Sequence, residues 1–82
     1  PWFHGQWARD AGERLGEVRF GSATGAFFRD SVERPWFARW LRGDSAAATP
    51  PEALLFDAGA RRWRRFDRWP AAGVAERRLY FG

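Results

Sequence analysis

The chain has 82 residues, enough for one small domain, and sets fourteen basic residues, all arginine, against ten acids for a formal charge of +4. With no cysteine and a single histidine, a disulfide framework, a thiolate metal site and a multi-histidine metal site are all excluded. Arginines interrupt every apolar run well short of the roughly 20 residues a membrane helix needs, so no segment is expected to span a bilayer.

The first residue is proline and methionine is absent, so the chain is expected to be processed, trimmed or a piece of something longer. Aromatics make up 18%, including six tryptophans. Each can bury about 150–250 Å², yet a domain this small covers only about 60% of its unfolded surface. The excess is expected to pack against protein outside these residues rather than to form a functional aromatic surface. Arginine in the company of alanine, glycine and proline is the coding bias of a GC-rich genome. Nucleic-acid binding is the other source of such an excess.

Pro1–Gly21 has spaced glycines at Gly12, Gly16 and Gly21 and no sustained period, so it reads as loop with a short strand at Glu17–Phe20. Ser22–Arg42 is the helix candidate. Ser22 or Thr24 can cap its start, and Gly43 follows its end, where a residue without Cβ suits a left-handed cap. Phe28, Val32, Trp36 and Trp40 recur every four residues as a drifting apolar stripe. Pro35 lacks the N–H that would bond residue 31, which predicts a kink or break. Gly43–Pro51, "GDSAAATPP", is a linker by composition. Beyond it Ala53–Phe56 reads as a buried strand. Arg61–Pro70, "RRWRRFDRWP", spaces its aromatics by three, which suits a turn-rich segment as well as a helix. Arg78–Phe81 reads as a further strand.

Two constellations could carry chemistry. Arginines interleaved with tryptophans can neutralise phosphates and stack bases, but Asp57 and Asp67 dilute the charge and no nucleic-acid module signature is present. Core tryptophans with arginines across their faces are the favoured reading. The second constellation is His4, within "PWFHGQW" and beside Trp2, Phe3 and Trp7. Imidazole exchanges protons near neutrality, as a general base must. Acyl transfer also needs a serine nucleophile and a carboxylate to orient the ring. Ser22, Ser31 and Ser45 all lie outside a G-x-S-x-G turn. From the bare residues a packed, structural His4 is the favoured reading.

Five segments taken in order alter that weighting. "PWFHG" (Pro1–Gly5) resembles the G-P-W-x-H segment of serine hydrolases that comprise X-Pro dipeptidyl-peptidases, cocaine esterase, glutaryl acylases and α-amino acid ester hydrolases. Leu15–Gly16 with Phe20 is similar to the L-G-x-x-x-F that follows the histidine in the last of these. Phe27–Gly43 resembles the family's next helix, and Pro50–Gly73 resembles its double proline, apolar strand and spaced W-R and W-P signature. "RLYF" (Arg78–Phe81) is similar to the strand after it. Two departures stand out: Pro-Glu-Ala replaces a more usual Pro-x-Val, and Asp57 takes a usually apolar strand position.

The resemblance implies the C-terminal portion of an α/β-hydrolase, a loop plus helix, followed by the start of a jelly-roll β-sandwich. Residues 1–43 would end the catalytic domain, 44–51 would be the linker, and 52–82 would begin the sandwich. It implies His4 as the triad's general base, with the serine and aspartate earlier in a parent chain. The substrate would be a small-molecule or peptide acyl compound cleaved through an acyl-enzyme, with no cofactor, no metal, no nucleic acid and no membrane partner. These residues by themselves would be inactive. A periplasmic or secreted location is a family-level expectation, and oligomeric state is not legible. The alternative is a small Arg/Trp-rich nucleic-acid-binding or interaction module with a structural His4.

Overall fold

The computed structural model describes residues 1–47 and 49–82. Ala48, inside the expected linker, lies outside the described residues. The elements run α1 (Gln6–Arg9), β1 (Arg14–Leu15), β2 (Val18–Arg19), α2 (Thr24–Phe27), a π-helical segment (Phe28–Glu33), α3 (Arg34–Leu41), β3 (Ala53–Asp57) and β4 (Arg62–Phe66). Each sheet is a two-stranded antiparallel hairpin. In the first, Arg14 faces Arg19 and Leu15 faces Val18, so the strand expected at Glu17–Phe20 is the second arm of a tight hairpin.

α2, the π segment and α3 form one continuous helix, and it departs from expectation at two points. Neither Ser22 nor Thr24 caps it through a side chain. Its free N–H groups are met by main chain instead: Gly12 C=O accepts from Thr24 N at 3.2 Å, and Ala11 C=O accepts from Gly25 N at 2.8 Å and Ala26 N at 3.3 Å. The same donors are satisfied from a different source. Pro35 breaks nothing either. The turn ahead of it widens, so Arg34 N–H reaches back five residues to Arg29 C=O, and helical residues continue through the proline to Leu41. The widening also suits the four-residue aromatic spacing, which overshoots an α-helical turn of about 3.6 residues. Gly43 takes the left-handed conformation at the end, φ +67°, and Asp44 N–H donates to Ala38 C=O at 3.1 Å.

β3 is the expected apolar strand extended by one residue, but it is half-buried rather than buried, with Leu55 45% exposed, because a two-stranded hairpin covers too little of it. Its partner β4 comes out of the Arg/Trp segment, with Ala53 opposite Phe66 and Asp57 opposite Arg62. Pairing with β3 decides between turn and strand here. Trp63 and Phe66 are half-buried, while Arg62, Arg64 and Arg65 stay exposed. Trp63 stacks on Phe27 at 5.2 Å and 28°, meets Phe56 edge-on at 5.4 Å, and lies 6.1 Å from Trp2. Phe56 meets Phe20 at 5.1 Å. These contacts seat the hairpin on the N-terminal segment and make Trp63 a packing residue. The strand expected at Arg78–Phe81 is not formed. A strand exists through its neighbour's hydrogen bonds, and here Leu79, Tyr80 and Phe81 are 80%, 79% and 92% exposed.

The buried centre is small, and its best-buried side chains are Phe20, Gln6 and Thr24. Trp36, Phe37, Trp40 and Leu41 of α3 are exposed. The radius of gyration is 15.6 Å, against about 12 Å for a compact domain of this length. No helix among the described residues is long and apolar enough to cross a membrane.

Candidate active site

His4 stands on a tight turn. Phe3 C=O accepts from Gln6 N at 3.0 Å, and Gly5 at φ +80° and ψ 0° has the dihedrals of the third residue of a type II turn. That position needs a positive φ, which glycine adopts without steric cost. Gly5 therefore follows His4 for a backbone reason, and the turn lifts the imidazole into solvent, where it is exposed. The His4 ring meets Trp7 edge-on, with centroids 6.5 Å apart. Phe3 is exposed, while Trp2 turns the other way, toward Phe28 at 5.2 Å and Trp63. Of the three aromatics expected around the histidine, Trp7 alone is seen to stack with it.

Beneath the turn lies a set of polar fastenings that sequence reasoning missed. Gln6 is 3% exposed. Its Oε1 accepts from Phe3 N at 3.1 Å, and its Nε2 donates to Arg14 C=O at 2.9 Å. Its two ends thus lock the start of the His4 turn to the β1–β2 hairpin. Thr24 is fully buried. Its Oγ1 accepts from Trp2 Nε1 at 2.9 Å and donates to Gly12 C=O. Gly12 has φ +71°, and a Cβ there would sit 2.5 Å from Gly25 N and 2.7 Å from Thr24 Oγ1. A Cβ on Gly25 would sit 2.9 Å from Asp10 O. Two glycines thus let loop and helix touch backbone to backbone. Asp10 Oδ1 accepts from Gly12 N at 2.7 Å and tightens the same loop.

The one sequence signal for this arrangement is the run of glycines at 12, 16 and 21, which by itself reads as loop. A buried Gln–Thr–Trp set has no local sequence signature, since its members are 4 to 22 residues apart.

An open cleft of about 730 Å³ beside the turn is lined by Phe3, Gln6, Asp10, Glu13, Arg14 and Arg19, among others, and His4 does not line it. Among the described residues no group of three or more His, Cys, Asp or Glu could hold a metal ion.

The chain matches no family model, and no curated protein matches it either. Among solved structures it is similar to the crystal structure of an aminopeptidase from the marine sediment archaeon Thaumarchaeota archaeon, with a TM-score of 0.73 and 38% identity over 87% of this chain. The match covers 11% of the aminopeptidase. The fold of these residues is therefore that of a small part of a much longer peptidase chain.

Proposed function

We propose that this chain is the triad-histidine segment of a serine hydrolase that cleaves ester or amide bonds, peptide bonds included. The observation that carries this reading is the likeness, at 38% identity, to part of an aminopeptidase. A histidine lifted into solvent on a braced turn suits the role. In the α/β-hydrolase order of serine, then acid, then histidine, the nucleophile and the orienting aspartate come from earlier in the polypeptide.

The serine Oγ attacks the acyl carbonyl while His4 takes its proton. The tetrahedral intermediate, held by backbone N–H donors outside these residues, collapses as His4 returns that proton to the departing alcohol or amine. His4 then deprotonates water, which attacks the acyl-enzyme and releases the acid. In the same reading residues 1–43 close the catalytic domain, 44–51 are the linker, and 52–82 open a β-sandwich. Substrates are small-molecule or peptide acyl compounds.

The test uses the complete gene product that carries this segment, assayed on aminoacyl anilides and activated esters. His4→Ala is expected to lower kcat by at least about 10³-fold with the fold intact. A fluorophosphonate is expected to label one serine of the wild-type enzyme. Full activity in His4→Ala would exclude the reading. So would peptidase activity that a chelator abolishes and the phosphonate leaves untouched.

A further inference from the structure

We propose that Arg29 is the positioning residue of His4, an inference that rests on His4 being the general base. Arg29 is the second residue of the π segment. Its Nη1 donates to the carbonyl of Trp7 and, at 2.8 Å, to that of Asp10. Both carbonyls lie at the C-terminal end of α1, where main-chain acceptors have no partner inside the helix. α1 is a single turn of four residues, about 6 Å long, too short to hold its own orientation. The His4–Gly5 turn begins at its other end.

Trp7 joins the two ends, because its carbonyl is bound by Arg29 while its ring packs on His4. The long helix thus controls the imidazole through one side chain and one indole. Thr24, Gly25 and Phe28 share the face, binding Gly12, Ala11 and Trp2 respectively. Phe28 also reaches Trp7 through the ring of Trp2, 6.1 Å from it, but Arg29 is the one of the four that hydrogen-bonds to the main chain of α1 and its C-cap at Trp7 and Asp10. Both bonds come from the one Nη1, whose two N–H groups are fixed in the guanidinium plane, an angle that a freely rotating lysine ammonium does not enforce. Arg34, one turn further on, makes among the described residues only an exposed pair with Asp30 at 3.5 Å and serves as the control.

The experiment compares Arg29→Ala, Arg29→Lys, Arg34→Ala and His4→Ala in the complete gene product, with active sites counted by exhaustive phosphonate labelling. Per labelled site, Arg29→Ala is expected to lose about 10²-fold in kcat, the scale of a misplacement near 1 Å, with KM unchanged. Free guanidinium is expected to restore part of the loss, Arg29→Lys to fall between, and Arg34→Ala to match the wild type. Wild-type kcat per site in Arg29→Ala would overturn the proposal. A loss that follows the number of labelled sites, with kcat per site unchanged, would overturn it too by making Arg29 purely structural. Where Arg29→Ala fails to accumulate, Arg29→Lys decides: wild-type kcat per site there ends the proposal. Full activity in His4→Ala would instead remove the reading of His4, whatever Arg29 does.

Discussion

The N-terminal knot around Thr24 and the β3–β4 hairpin are held by different physics. The knot is polar. Thr24, Gln6 and Arg29 each bridge two backbone or indole groups, and two glycines bring main chains into contact. Such bonds are short-ranged and directional, so they define atomic positions. The hairpin relies on a ladder of main-chain bonds and on the rings of Phe56 and Trp63. Ring packing tolerates angular variation and loses affinity gradually. On the proposed reading of His4 as the general base, the region that must place a proton-transfer group within tenths of an ångström is the one built from directional contacts.

That contrast can be broken at the knot most severely by Gly12→Ala. The new Cβ would overlap Gly25 N and Thr24 Oγ1 at a residue already in the left-handed region. A loss of about 3–5 kcal/mol is expected from overpacking and backbone strain together. Thermal unfolding of the complete gene product measures it, and a change below 1 kcal/mol would mean the knot is looser than described.

Thr24→Val sharpens the comparison with less disruption. It keeps the shape but strands Trp2 Nε1 and leaves the Gly12 carbonyl only the bond from the backbone N–H of residue 24, at about 2 kcal/mol, and Thr24→Ser is expected to recover most of this. Equal losses for valine and serine would show that packing, not hydrogen bonding, matters at Thr24.

The smallest effect belongs to the hairpin. Asp57 Oδ1 accepts from Ala60 N at 2.9 Å, and its other oxygen lies 3.8 Å from Arg64. The Ala60 hydrogen bond, then Gly59 and the guanidinium groups of Arg64 and Arg62, outweigh desolvation and hold its carboxyl below the ordinary aspartate value. A depressed pKa means the ionised form stabilises the fold above about pH 4 and the contribution fades as pH falls through the folded value. Trp63 fluorescence during urea unfolding should therefore report a hairpin slightly weaker at pH 3 than at pH 6. Asp57→Asn is expected to lose that part of the difference, and an unchanged pH response would assign it to other groups.

Much of the backbone was legible because it depends on neighbours in sequence. The helix expected over Ser22–Arg42 runs from Thr24 to Leu41, and the left-handed Gly43 sits at its end. The apolar run at Ala53–Phe56 became β3. β4 was obscured because arginines fill its exposed positions and its aromatics sit three apart, a spacing without strand alternation, so only pairing with β3 reveals it. Arg78–Phe81 has the right residues for a strand and no paired neighbour. For the candidate site, His4 and the turn made by Gly5 could be read from "PWFHG", but Arg29 could not. Nothing in its sequence surroundings distinguishes it from Arg34.

By itself the sequence determined the charge, the absence of thiol and multi-histidine chemistry, the main helix and its glycine end, and the one imidazole available for proton transfer. These follow from composition and from interactions within a few residues. Only the tertiary structure decided that main-chain carbonyls cap the helix, that a π turn carries it past Pro35, and that Arg29 grips the turn of helix behind His4. Each of those bonds joins groups brought together by the path of the chain, and hydrogen bonding depends on distance and angle in space, which residue order alone does not contain.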